Sequence, residues 1–191
     1  MMKFISKISI LFVVIVLLSN CGGAGRAIKS ENKTKLDLPD WFVNPPESKE
    51  FIYGTGTAES KMLKVAISKA KLEAKGNIAA TISSKIERLK KDFIESTGLS
   101  KQEEIISQFT QVQKEITSQE LIGVVLEEQS LNQNNNIYIV YVLMKYPVGK
   151  MGKDFVQRLS ANEKLWTEFK ASKAYDELKQ EIEEYEEKRG Y

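Results

Sequence analysis

Phe51-Ile52-Tyr53-Gly54-Thr55-Gly56-Thr57-Ala58-Glu59, with the periodic run that follows it, decides the fold. Its aromatic and β-branched residues favour a pleated strand. Leu63, Ile67, Ala70, Ala74, Ile78, Ile82, Ile86, Leu89 and Phe93 then recur at steps of three and four. That spacing predicts a helix from Ser60 to about Phe93 with one apolar face. Ala66, Ala70 and Ala74 keep the first half of the face narrow, and the two strand glycines let a helix pack closely or form a bulge. Gly54-Thr55-Gly56 is not a dinucleotide loop, because Glu59 stands where the fingerprint needs a third small residue and its carboxylate would face the pyrophosphate. At ~1.5 Å per residue the helix is about 50 Å long, more than one small sheet covers. Its charged end, Lys85 to Asp92, therefore projects or packs on the next helix, and Gly76 is a weak point where it could kink.

Gly98 ends this helix, and Ser100-Lys101-Gln102-Glu103 has capping-box form for the next. Ile105, Phe109, Val112 and Ile116 form a single stripe, so the two helices make a hairpin. Leu121 to Leu131 and Ile137 to Tyr146 are β-rich runs joined by Asn132-Gln133-Asn134-Asn135-Asn136, whose asparagines tolerate positive φ. Both faces of the second run are apolar, which predicts a central strand covered on both sides and ended by Pro147. Helical spacing resumes through Phe155, Leu159, Trp166, Phe169, Ala171, Ala174, Leu178, Ile182 and Tyr185, with a second capping box at Ser160-Ala161-Asn162-Glu163. From Lys170 onward the opposite face is dense in charge. Such a terminal helix either lies back on its own domain or meets another subunit.

Upstream, Pro39-Asp40-Trp41-Phe42-Val43-Asn44-Pro45-Pro46 places an aromatic pair between prolines, which predicts extended backbone. Trp41 and Phe42 either plug the end of the core or serve as exposed binding aromatics. Gly22 to Asp40 is small, polar and charged and reads as a tether with a reach on the order of 25 Å. Before it, Lys3 and Lys7 precede an apolar run, Ile8 to Leu18, interrupted by Ser9. The run reaches about half of a ~30 Å hydrocarbon core and reads as the h-region of a signal peptide. It ends at Leu18-Ser19-Asn20-Cys21, which contains the only cysteine. The box resembles the bacterial lipoprotein signal, with Asn20 departing from the usual small residue before the lipidated cysteine.

Composition narrows the function. Without Lys3 and Lys7, the 28 basic residues fall level with the 26 acidic ones, which removes the electrostatic argument for nucleic acid. Histidine is absent and there is no second cysteine, so the commonest general base, metal ligand and thiolate pair are missing. Most carboxylates lie in helical charge patterns beside lysines, and no two stand at the tips of apolar strands as a glycosidase-type pair. The expectation is a protein with no catalytic residues, no metal and no cofactor.

Pro39-Asp40-Trp41, Asn44-Pro45-Pro46, Tyr53 to Ala58, the Ala-rich helix from Ala66 to Ile82 and the β-hairpin together resemble the LPP20 family of bacterial lipoproteins over Trp41 to Tyr146. That family includes the flagellar P protein, an outer-membrane lipoprotein associated with the flagellar motor. The resemblance implies an α+β domain, a small antiparallel sheet packed on its long helix, and a role in envelope or motor-associated assembly. The chain then divides into a signal peptide (1–20), a tether (21–40), the LPP20-like domain with its helix hairpin (41–147) and a helical C-terminal extension (148–191).

Two function classes follow. The first is a structural or assembly lipoprotein, lipid-anchored through Cys21 to the outer membrane and facing the periplasm. It would engage an envelope protein or a second copy of itself, with Trp41, Phe42, Trp166 and Tyr185 as the aromatic candidates for contact. The second is a carrier of a lipid or small molecule, held in a cleft between sheet and helix. A Cys21→Ser variant should incorporate no labelled palmitate, and label retained by that variant would contradict the anchoring.

Overall fold

The computed structural model describes residues 38–98, 103–118 and 121–189; Cys21, the h-region and the tether up to Asp37 lie outside the described residues. The elements run α1 (Asp40–Val43), β1 (Phe51–Ser60), α2 (Leu63–Thr97), α3 (Glu103–Ser118), β2 (Val125–Asn134), β3 (Ile137–Pro147), α4 (Val148–Leu159), α5 (Glu163–Lys170) and α6 (Lys173–Arg189). The protein is α+β, with an antiparallel sheet in the order β1-β3-β2.

β1 lies so close to α2 that the strand has no room for side chains at two positions. A Cβ on Gly54 would overlap the Ala74 carbonyl oxygen, and one on Gly56 would overlap that of Ala70 and stand 2.6 Å from the Ala74 amide nitrogen. The glycines therefore serve helix packing. Ala66, Ala70 and Ala74 are fully buried in this contact, Ile78 stands against Gly54, and Ile82, Ile86, Leu89 and Phe93 continue the buried stripe along the helix. At Gly76 the helix continues unbroken, and a Cβ there would meet nothing within 4 Å. Gly98 closes α2 in the left-handed conformation (φ 68°), donating its amide to the Ile94 carbonyl at 3.0 Å.

The second half of α2 belongs to a helical core. Phe93, Phe109, Phe155 and Phe169 converge from α2, α3, α4 and α5 with ring centroids 5.6–5.8 Å apart, and each ring is fully buried. Aromatic pairs of this kind contribute about 0.5–1.5 kcal/mol each beyond their burial. One long helix thus serves the sheet with its small residues and the bundle with its large ones.

β3 is the central strand. Val140, Val142, Met144 and Tyr146 are buried toward α2, opposite Ala58, Gly56, Gly54 and Ile52 of β1. Its other face is covered less than its apolar sequence predicts: Leu143 is buried there, whereas Ile137, Ile139, Tyr141 and Lys145 are half-buried. α1 lies on this outer face, with Phe42 edge-on to Tyr141 at 4.9 Å. The β2–β3 turn narrows to Asn135 and Asn136, both at positive φ (45° and 63°), the arrangement of a two-residue hairpin.

Several boundaries differ from the sequence reading. Asp40–Val43 is a single helical turn instead of extended chain. Pro39 sits just before it, where its missing amide costs nothing, and its carbonyl accepts from Phe42 and Val43. β2 starts at Val125 instead of Leu121, because Leu121 and Gly123 take positive φ (28° and 105°) in a turn. The cap of α5 is Asn162, whose side chain accepts the Leu165 amide at 3.0 Å, while the Ser160 hydroxyl turns back to the Gln157 carbonyl. Ser100 lies outside the described residues. The C-terminal stripe is divided among three helices, and α6 lies back on α4: Gly149 and Gly152 leave space that Tyr185 and Ile182 fill, and Ala174 and Leu178 are buried.

Two glycines of opposite character test this packing. Gly56→Ala must push α2 off β1 and should cost about 3 kcal/mol or more. Gly76→Ala, in open space within a helix, should stabilise by about 0.5–1 kcal/mol. Thermal melts with equal shifts for the two would contradict the close approach.

Candidate interaction surface

The two edges of the sheet are treated differently. Along the free side of β1, the Glu73 carboxylate accepts the Thr57 amide at 3.0 Å, and the Asn77 side-chain amide donates to the Thr55 carbonyl at 2.8 Å. Polar side chains of α2 thereby take up backbone groups that a neighbouring strand would otherwise bind. The close helix approach makes this reach short.

β2, at the other edge, pairs only with β3 in the sheet, while α2 packs on β1 and β3. Every residue of β2 but Ser130 and Asn132 is exposed. Val125, Leu126 and Leu131 are 48, 41 and 47% accessible, and Ile122 in the preceding turn is 72% accessible. The strand carries no Lys, Arg or Pro, the residues that most often blunt an edge. A bulge between Leu126 and Glu128 interrupts the register at one end, where Glu127 pairs with Lys145 at 2.5 Å. Glu127 holds the Lys145 ammonium above its ordinary range, and that ammonium also stands 4.9 Å over the Phe51 ring. From Glu128 to Asn134 the strand is regular.

A second feature is a groove of about 830 Å3 between the Pro45–Tyr53 segment, α2 and α6. Phe51, Ile52 and Val148 form its apolar wall, and Glu177, Glu181 and Glu184 its acidic one. Lys85 donates to one oxygen of Glu181 at 2.5 Å, while the other, Oε2, is buried without a hydrogen-bond partner among the described residues.

Tyr146, Lys150 and Asp154 form a polar cluster where β3 meets α4. The Tyr146 hydroxyl donates to Asp154 Oδ2 at 3.0 Å and the Lys150 ammonium reaches the same oxygen at 3.0 Å. Burial first, then the Asp154 charge and hydrogen bond, hold the Tyr146 phenol well above its ordinary range. The phenol keeps its proton at neutral pH, and its hydrogen bond to Asp154 ties β3 to α4.

The aromatic residues singled out in the sequence are dispersed. Trp41 and Phe42 are half-buried in α1 on the outer sheet face. Trp166 is half-buried, edge-on to Tyr175 at 5.3 Å, and Tyr185 packs at Gly149 and lines a small recess adjoining the groove. The structure does not bring the four together. Among the described residues, no cluster of carboxylates and thiols could hold a metal, and no helix is long and apolar enough to cross a membrane.

The family model of the LPP20 lipoprotein matches residues 39–144. The chain belongs to the LPP20 lipoprotein family. It is therefore a lipoprotein of the cell envelope. No curated protein and no solved structure matches it. The LPP20 match takes in α1, both sheet edges and the β1–α2 contact, and stops before the Tyr146 cluster, Trp166 and Tyr185.

Above about pH 10 an unfolded chain loses its tyrosine protons while folded Tyr146 keeps its own, so this residue makes stability fall as pH rises. Tyr146→Phe should flatten the fall in melting temperature between about pH 9 and about pH 11. An unchanged slope would show that the phenol is not held in its protonated form.

Proposed function

We propose that this LPP20 protein is a non-enzymatic assembly lipoprotein, anchored by lipid on Cys21 to the outer membrane, facing the periplasm, and joined to an envelope protein through the open edge of β2. The contrast between the edges carries the proposal. α2 side chains bind Thr55 and Thr57 on one edge, and the other exposes backbone and apolar side chains together, the combination used in strand addition. The filled interface between sheet and α2 also favours assembly over carriage, since Gly54 and Gly56 leave no cleft there. The flagellar motor, the setting of the family's flagellar P protein, is one such assembly to test.

The groove supports a second reading, carriage of a lipid or small molecule. Its apolar wall beside Glu177, Glu181 and Glu184 suits an amphiphile with a cationic group. A photo-reactive residue at Leu126 or at Tyr53, introduced into the anchored chain in growing cells, separates the readings. Assembly gives protein adducts from Leu126. Lipid or small-molecule adducts from Tyr53, with none to protein from Leu126, would replace it with carriage.

A further inference from the structure

We infer that the occupant of the β2 edge is the β2 strand of a second copy, paired antiparallel about a two-fold axis at Leu131; this rests on the assembly reading above. The acidic residues Glu127 and Glu128 stand at the start of the strand, and the amides Asn132, Gln133 and Asn134 at its end. Antiparallel pairing sets the acidic start of one copy against the neutral amide end of the other. Parallel pairing would set the glutamates of both copies side by side, which is destabilising.

The register follows from the regular part of the strand. Pairing over Glu128 to Asn134 centres on Leu131, clear of the bulge. Leu131 then faces Leu131 of the second copy, Gln129 faces its Gln133, and Glu128 faces its Asn134. Opposed residues share a face, as a ladder requires. Leu131 pairs with Val140 of β3, whose side chain is buried toward α2, so the leucine pair would extend the apolar surface on that side. The product is a continuous sheet in the order β1-β3-β2-β2-β3-β1, whose two ends are the edges covered by Glu73 and Asn77. The interface is isologous and closed, so pairing stops at two copies.

The symmetry also fixes which way the two sheets face. A two-fold axis relating antiparallel neighbours runs perpendicular to the sheet, so the outer faces of both copies stay on the same side. α1 packs on that face through Phe42 and Tyr141. A strand pair of this length is a small interface, and a shared anchor supplies the local concentration that makes it sufficient.

Leu131→Cys in the full-length anchored chain tests this directly, with exposed Leu72→Cys on α2 as control. Mild oxidation of membranes should convert the Leu131→Cys chain, and not the control, into a disulfide-linked species of twice the chain mass. In a third variant, Leu131→Lys, charges opposed across the axis should abolish the dimer that an amine cross-linker traps in the wild-type chain, with the melting transition retained. Equal dimer from both cysteine variants, or none from either, would overturn the pairing. A disulfide from Leu131→Cys to a different protein would overturn the second copy and leave the assembly reading standing, whereas loss of every protein adduct along β2 would remove both.

Discussion

The backbone contact of Gly54 and Gly56 with Ala70 and Ala74 is the constraint on which the other features depend. Helix and strand meet there without intervening side chains. That proximity brings Glu73 and Asn77 over the free side of β1, where they take up the amide of Thr57 and the carbonyl of Thr55. It also fixes the direction of α2, so its later turns leave the sheet and deliver Phe93 to the aromatic core of α3, α4 and α5. A helix seated over β1 and β3 leaves β2 uncovered.

The Gly-Thr-Gly strand, the alanine face and the central place of β3 were legible because each is a local pattern with a direct steric or burial meaning, whereas the apolar outer face of β3 overstated how fully it is covered. The hairpin asparagines were legible for the same reason, as they tolerate positive φ. The turn at Asp40–Val43 was hidden because proline is compatible both with extended backbone and with the start of a helix. Ser160 and Asn162 are both good caps, and only the conformation of the preceding turn decides between them. The docking of α6 had an available signal in Gly149 and Gly152, three residues apart on one helix face where Tyr185 and Ile182 enter.

The difference between the edges was not legible. Glu73 and Asn77 look like ordinary surface residues of an amphipathic helix, and their role appears only when the helix is laid on the strand. The exposed Leu126 and Leu131 likewise sit in a run that reads only as β-rich, with nothing in it to mark a free edge. The aromatic residues drew attention in the sequence, yet Trp166 and Tyr185 serve packing within the C-terminal helices. Edge chemistry is a property of tertiary placement, and in this chain it distinguishes the open edge of β2 from the capped edge of β1.

Residue-resolved amide hydrogen exchange, at low and high protein concentration, tests most directly whether one edge is closed and the other open. The expected result is slow exchange of the Thr57 amide at both concentrations, and fast exchange of the outward amides between Glu128 and Asn134 that slows as concentration rises. Thr57 exchanging as fast as those β2 amides in dilute protein would contradict the account.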